Sequence, residues 1–176
     1  MKKFLLLVAL FLINQLHPYE NKIDLLSLYK DLHANPELSY QEFETSEKLA
    51  NLLESIGYEV TRNVGGNGVV ALLKNGNGKN IMFRADMDGL PVEEKTGARY
   101  ASQKKVTNLD GEEVFTMHAC GHDVHMTVLI GVAEYLFENK SQWQGNLILV
   151  LEPAEEVSGG ARNMIKDGLF TRFPRP

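Results

Sequence analysis

Cysteine is nearly missing from this chain: one, Cys120, among 176 residues. A single thiol excludes both an intramolecular disulfide framework and a four-cysteine zinc site. Positive charge is also short. Lys and Arg number 18 against 23 Asp and Glu, a net charge of −5, which gives no basic footprint for nucleic acid. No apolar run reaches the ~20 residues of an ordinary membrane span, so no stable span is expected once a leader is removed. Internal repeats and low-complexity tracts are absent too. What is present, 44% hydrophobic and 23% charged residues, suits about one globular domain.

The longest apolar run lies at the start. Lys2-Lys3 followed by residues 4–13 read as the charged and apolar regions of an export signal. Residues 1–19 are therefore expected to send the chain to the periplasm or the exterior. The segment Asn14-Gln15-Leu16-His17-Pro18 is a poor cleavage site. A buried amphipathic helix is the alternative, and the unbroken apolar character argues against it.

Apolar residues at helical spacing cover residues 21–34, and Pro36 ends the helix because the residue before proline is pushed out of helical geometry. Ser39 with Glu42 predicts a capping box opening a helix over residues 40–56, stopped at Gly57. Residues 58–62 alternate as a strand. Two strand-like runs, 69–73 and 81–84, flank Asn75-Gly76-Asn77-Gly78, a hairpin signal. The mostly polar stretch 93–113 reads as a surface excursion turning at Asn108-Leu109-Asp110-Gly111. Residues 125–138 are helical, 146–151 form a strand buried on both faces, and 161–167 form a short helix stopped by Gly168. This alternation predicts a three-layer α/β/α fold around a mixed, mostly parallel sheet.

Three of the five histidines and the only cysteine fall within residues 116–125, Thr-Met-His-Ala-Cys-Gly-His-Asp-Val-His. Thiolate and imidazole both bind zinc-class ions, and Gly121 lets the backbone turn so that Cys120 and His122 reach one point. A buried thiol beside surface histidines is the other reading. Two further acidic groups follow strands: Asp86 and Asp88 after 81–84, and Glu155-Glu156 after 146–151. Carboxyl ends of strands tend to line sites in such sheets. One glutamate can hold a metal while its neighbour takes a proton from water that the metal has acidified. Asp88 suits a role behind a ligating histidine, fixing its tautomer. Asp123 and His125 are further ligands or groups behind them, with helix capping by Asp123 an equal reading. His118 either donates to a substrate carbonyl or is structural.

Four stretches then carry a resemblance: Leu32–Ser39 (LHANPELS), Arg84–Pro91 (RADMDGLP), Met117–His125 (MHACGHDVH) and Pro153–Glu156 (PAEE) followed by Gly159-Gly160-Ala161. In this order they resemble the amidohydrolase branch of metallopeptidase family twenty, which includes hippurate hydrolases, N-acyl-amino-acid amidohydrolases and auxin-conjugate hydrolases. The resemblance implies a site for two divalent ions (zinc, manganese, nickel or cobalt) that hydrolyses the amide of an N-acyl amino acid. Cys120, His122 and Glu156 match metal ligands, Glu155 matches the general base, and Asp88 matches the residue that orients the centre. A metal-held hydroxide would attack the carbonyl while Glu155 carries the proton to the leaving amine.

The resemblance also implies a lid and dimerisation domain and a return segment that residues 20–176 do not match. The expectation is an N-terminal portion of the catalytic domain, without the family's further histidine ligands. Homodimers occur among full-length relatives, with nothing in this chain to support one. Beside the amidohydrolase reading stands a second, a non-catalytic remnant that binds metal weakly, with little or no amidase activity. A cysteine nucleophile at Cys120 is the third, and the neighbouring glutamates suit a metal better.

Overall fold

The structure, a computed structural model, describes residues 22–176. The expected export signal over residues 1–19, and His17 with it, lies outside the described residues. Helix α1 (Leu25–Ala34) begins where the Asp24 side chain accepts the Ser27 N–H at 3.0 Å, and it ends at Asn35, ahead of Pro36. Helix α2 (Phe43–Ile56) leads to the strands β1 (Glu59–Thr61), β2 (Val69–Asn75) and β3 (Asn80–Asp86). A two-stranded excursion, β4 (Lys105–Thr107) and β5 (Glu113–Phe115), precedes α3 (His122–Glu138). Strand β6 (Gly145–Glu152) and the short helices α4 (Gly160–Lys166) and α5 (Leu169–Arg172) complete the order.

The main sheet runs β1-β2-β6-β3. Its β3–β6 pairing is parallel, while β1–β2 and β2–β6 are antiparallel. The mixed sheet is as expected, and in the part seen here the antiparallel pairings outnumber the parallel one. The three layers follow from side-chain alternation in two strands that are buried over most of their length. Val69, Ala71 and Leu73 of β2, with Leu147, Leu149 and Leu151 of β6, pack on Leu28, Leu32, Leu49, Leu53, Met126 and Ile130 from α1, α2 and α3. Val70, Leu72, Ile148 and Val150 turn to the opposite face, against Val64, Met164 and Leu169. Among the described residues no helix is long and apolar enough to cross a membrane.

Two expectations are corrected. Residues 75–78 do not close a hairpin, because β6 lies between β2 and β3. The Asn75 side-chain amide donates to the carbonyls of Lys140 and Trp143, which tether the link to the segment entering β6. A buried β2 needs a neighbour on each side, and that demand outweighs the local turn signal. The Ser39–Glu42 capping box also does not form. Helix α2 starts at Phe43 with no side-chain cap, and both residues bond elsewhere.

Leu149→Ala removes a fully buried side chain at the centre of β6. It is expected to cost about 2–5 kcal/mol, read as a lower urea midpoint at unchanged slope.

Candidate metal centre

The parallel pairing of β3 and β6 sets Asp86 opposite Glu152, so the two strands end together. Asp88 follows β3 by two residues, and Glu155-Glu156 follow β6 by three and four. Helix α3 starts beside them after Gly121, whose φ of 80° is a left-handed conformation that glycine adopts at little cost. The expected residues are thereby brought to one corner.

His122 is buried there, with its ring oriented by the main chain. Its Nδ1 lies 2.8 Å from the carbonyl oxygen of Asp88, which favours a proton on Nδ1 and directs Nε2 outward. Nε2 then faces two carboxylates, Glu155 Oε2 at 3.7 Å and Glu156 Oε1 at 3.8 Å. These spacings exceed a hydrogen bond. Donor atoms sharing one ion at metal–ligand distances of about 2.0–2.2 Å stand roughly this far apart. Glu156 Oε1 is buried without a hydrogen-bond partner, an orphaned acceptor that a cation would satisfy. On these two observations the residues fit a divalent metal.

Cys120 is exposed and stands outside the grouping in which the His122, Glu155 and Glu156 atoms all lie within 4.8 Å of one another. Its thiol lies near enough to Glu156 to feel that carboxylate, at the rim of the same corner. A second grouping, Asp86, His122 and His125, has the same compactness. There the Arg84 guanidinium already sits 3.2 Å from Asp86 and 2.8 Å from Glu152, supplying the positive charge a metal would bring. Among the described residues no Lys or Arg pairs with Glu155 or Glu156, whose ionic partner is His122. His125 stacks on the His122 ring at 5.5 Å.

The electrostatics point the same way. Burial works against a charged His122, but the hydrogen bonds to Asp88 and the charges of Asp86 and Asp88 lift its pKa to about 9. Hydrogen bonding to Glu156 raises the Cys120 thiol, with burial and the charges of Glu156, Glu155 and Asp88 adding to it. Asp88 behaves oppositely. Burial pushes it up, yet hydrogen bonds from His122, from Ser39 and from the backbone N–H groups of Glu156 and Glu155 hold it below the usual carboxylate value. The Asp88 carboxylate therefore spends its acceptors on the loop that carries the two glutamates, at 3.1 Å each, and on Ser39 at 2.6 Å. It is the Asp88 carbonyl, more than its carboxylate at 3.5 Å, that sets the His122 tautomer.

Asp123 is neither a ligand in these groupings nor the cap of α3. It binds His33 Nδ1 at 2.6 Å, while His33 Nε2 meets Glu94 at 3.1 Å. Glu94 was expected on a polar surface stretch and is buried, accepting Ser102 N–H at 2.6 Å. His118 is buried, and burial, helped by the charges of His122 and His33 and opposed by Asp123 and the Asp88 backbone, lowers its pKa to about 4. Sequence reasoning missed the His33–Glu94–Asp123 network, because its members lie 61 and 90 residues apart. The buried Glu42 was missed as well, being read as a cap.

Residues 82–176 match the pattern of Peptidase family M20/M25/M40. The chain belongs to that family. It is 47% identical over 143 residues to a hippurate hydrolase of Campylobacter jejuni, covering 81% of this chain and 34% of that protein. It is 40% identical over 145 residues to an N-acetyl-L-cysteine deacetylase of Bacillus subtilis, covering 82% of this chain and 33% of that one. Among solved structures it resembles the Bacillus subtilis YXEP protein, described as a dinuclear metal binding peptidase of the M20 family. That match has a TM-score of 0.73 at 36% identity and covers 82% of this chain and 38% of that one. The M20 chain thus spans about a third of the length of the curated relatives it matches.

Two pH effects are expected. Zn²⁺ bound through His122 would displace its proton, so affinity should rise with pH up to about 9, with proton release seen by calorimetry in buffers of differing ionisation enthalpy. For His33, burial opposes the charge, but the bonds to Glu94 and Asp123 raise its pKa above the ordinary 6.5. Its contribution to stability is then full below 6.5 and lost as pH rises through the folded value. His33→Gln should remove that part of the decline, measured as urea midpoints of the metal-free protein across pH 6–9.

Proposed function

We propose that this corner serves the metal-dependent hydrolysis of the amide bond in N-acyl amino acids. The observation that carries the reading is the convergence of His122 Nε2 with Glu155 and Glu156, one carboxylate oxygen being buried and unpartnered. The hippurate hydrolase and the deacetylase named above support an N-acyl amino acid as the substrate class, and the dinuclear relative supports two ions. Cys120, His122 and Glu156 would hold metal. The mixed sulfur, nitrogen and oxygen donors are compatible with zinc, manganese, nickel or cobalt.

A divalent cation bound here supplies Lewis acidity and lowers the pKa of water. The protein's own residues do the rest. Glu155, about a third exposed, reaches the mouth of the site and takes the proton of an attacking water, then delivers it to the leaving amine. Asp88 grips the N–H groups of both glutamates and so keeps Glu155 from drifting away from Glu156. His118, held neutral by burial, is a further imidazole that could donate to a carbonyl oxygen.

The second reading, a module that holds metal without turnover, is favoured by the placement of Cys120 outside the tight grouping. One set of measurements separates the two. Zn²⁺ should bind the wild-type chain, and His122→Ala and Glu156→Ala should each weaken it at least about tenfold. Glu155→Gln should leave affinity within about threefold but cut release of amino acid from N-benzoyl or N-acetyl amino acids at least about a hundredfold. Zinc binding with no amino acid released by the wild type selects the second reading. No zinc binding at all removes both.

A further inference from the structure

We propose that Glu42 is a positioning residue for Glu155 and Glu156, acting through the backbone of Ala154. The role rests on the metal reading above. Glu42 is fully buried, and no side-chain cap ties it to helix α2. Its Oε1 accepts the N–H of Tyr40 at 3.0 Å and that of Ala154 at 2.7 Å, and its Oε2 accepts the Asn67 side-chain amide at 3.0 Å. Tyr40 and Ala154 both have positive φ, 67° and 49°, a backbone state that L side chains rarely adopt without support. Glu42 therefore binds the N–H of both strained residues with one oxygen.

The consequence reaches the site within one residue. Ala154, Glu155 and Glu156 offer three consecutive N–H groups, and two buried carboxylates divide them. Glu42 takes the first, and the two oxygens of Asp88 take the second and third. Such a run of N–H groups around an anion is a stiff backbone concavity. The same carboxylates also grip consecutive residues of the opposite loop, Asp88 the Ser39 hydroxyl and Glu42 the Tyr40 N–H. The Ala154 carbonyl accepts the N–H groups of Gly159 and Gly160 at 3.1 and 3.2 Å, and its N–H is held by Glu42, so Glu42 fixes the side of this residue from which Glu155 and Glu156 leave β6.

Charge is not the requirement; an acceptor at the Oε1 position is. Glu42→Gln can keep its carbonyl on Tyr40 and Ala154 while Asn67 turns its own amide to accept from the new NH₂ group. Glu42→Asp keeps the charge but withdraws the oxygen by one methylene. The test is amide hydrogen exchange of the metal-free chain, paired with Zn²⁺ affinity by chelator competition. Glu42→Asp is expected to raise exchange over residues 154–158 at least about tenfold, leave residues 147–151 within about twofold, and weaken Zn²⁺ at least about tenfold. Glu42→Gln is expected to stay near wild type in both. Unchanged exchange at 154–158 in Glu42→Asp, or equal loosening of 147–151, overturns the proposal. Should Glu42→Asp not fold, Asn67→Ala frees Oε2 alone, and a rise of about threefold confined to 154–158 is expected, against none if the carboxylate does not hold the loop. Wild type that binds no Zn²⁺ refutes the metal reading, and the exchange measurement still decides whether Glu42 holds the loop.

Discussion

The buried carboxylate of Asp88 is the bond on which the candidate site hangs. It follows β3, yet it fastens the loop that follows β6, because the parallel pairing of those strands ends them side by side. Its acceptors are taken by the N–H groups of Glu155 and Glu156 and by the Ser39 hydroxyl, and its own carbonyl orients His122. A buried carboxylate with this many donors is worth keeping ionised, and removing it would strand the two part-buried N–H groups of Glu155 and Glu156, at up to roughly 1–3 kcal/mol each. Three separated stretches of chain are joined at this one side chain.

Around Asp88 the charge balance is deliberate in one place and open in another. Arg84 answers Asp86 and Glu152 at the ends of β3 and β6. The carboxylates of Glu155 and Glu156 lie 3.7 and 3.8 Å from the His122 imidazole, whose proton Asp88 and Asp86 help to retain. A divalent ion held there would invert that situation, since it would compete for the same lone pairs. The raised pKa values of His122 and Cys120 both trace to acidic neighbours, Asp88 and Asp86 for the imidazole and Glu156, Glu155 and Asp88 for the thiol.

The layers of the fold were legible in the sequence because they depend on periodicity. Residues 146–151, nearly all apolar, became a strand buried on both faces, and the helices expected over 21–34 and 125–138 are found at Leu25–Ala34 and His122–Glu138. Turn signals were less dependable. Asn75-Gly76-Asn77-Gly78 turns the chain, but a turn says nothing of which strand will be the neighbour, and β6 arrives from seventy residues further on. The Ser39–Glu42 pair matched a capping pattern, and a stronger claim on both side chains came from Asp88, Tyr40, Asn67 and Ala154. Glu94, polar among polar neighbours, carries no local sign that it will be buried against His33.

By itself the sequence determined which chemistry the chain can bring: a thiol, an imidazole, two adjacent glutamates and an aspartate, each after a strand or before a helix. Residue type and periodicity are local, so they survive without a fold. Which nitrogen of His122 faces outward, which carboxylate oxygen lacks a partner, and which acid braces the loop were decided only by tertiary structure. Those are matters of distance and direction between stretches that meet only when β3 and β6 pair.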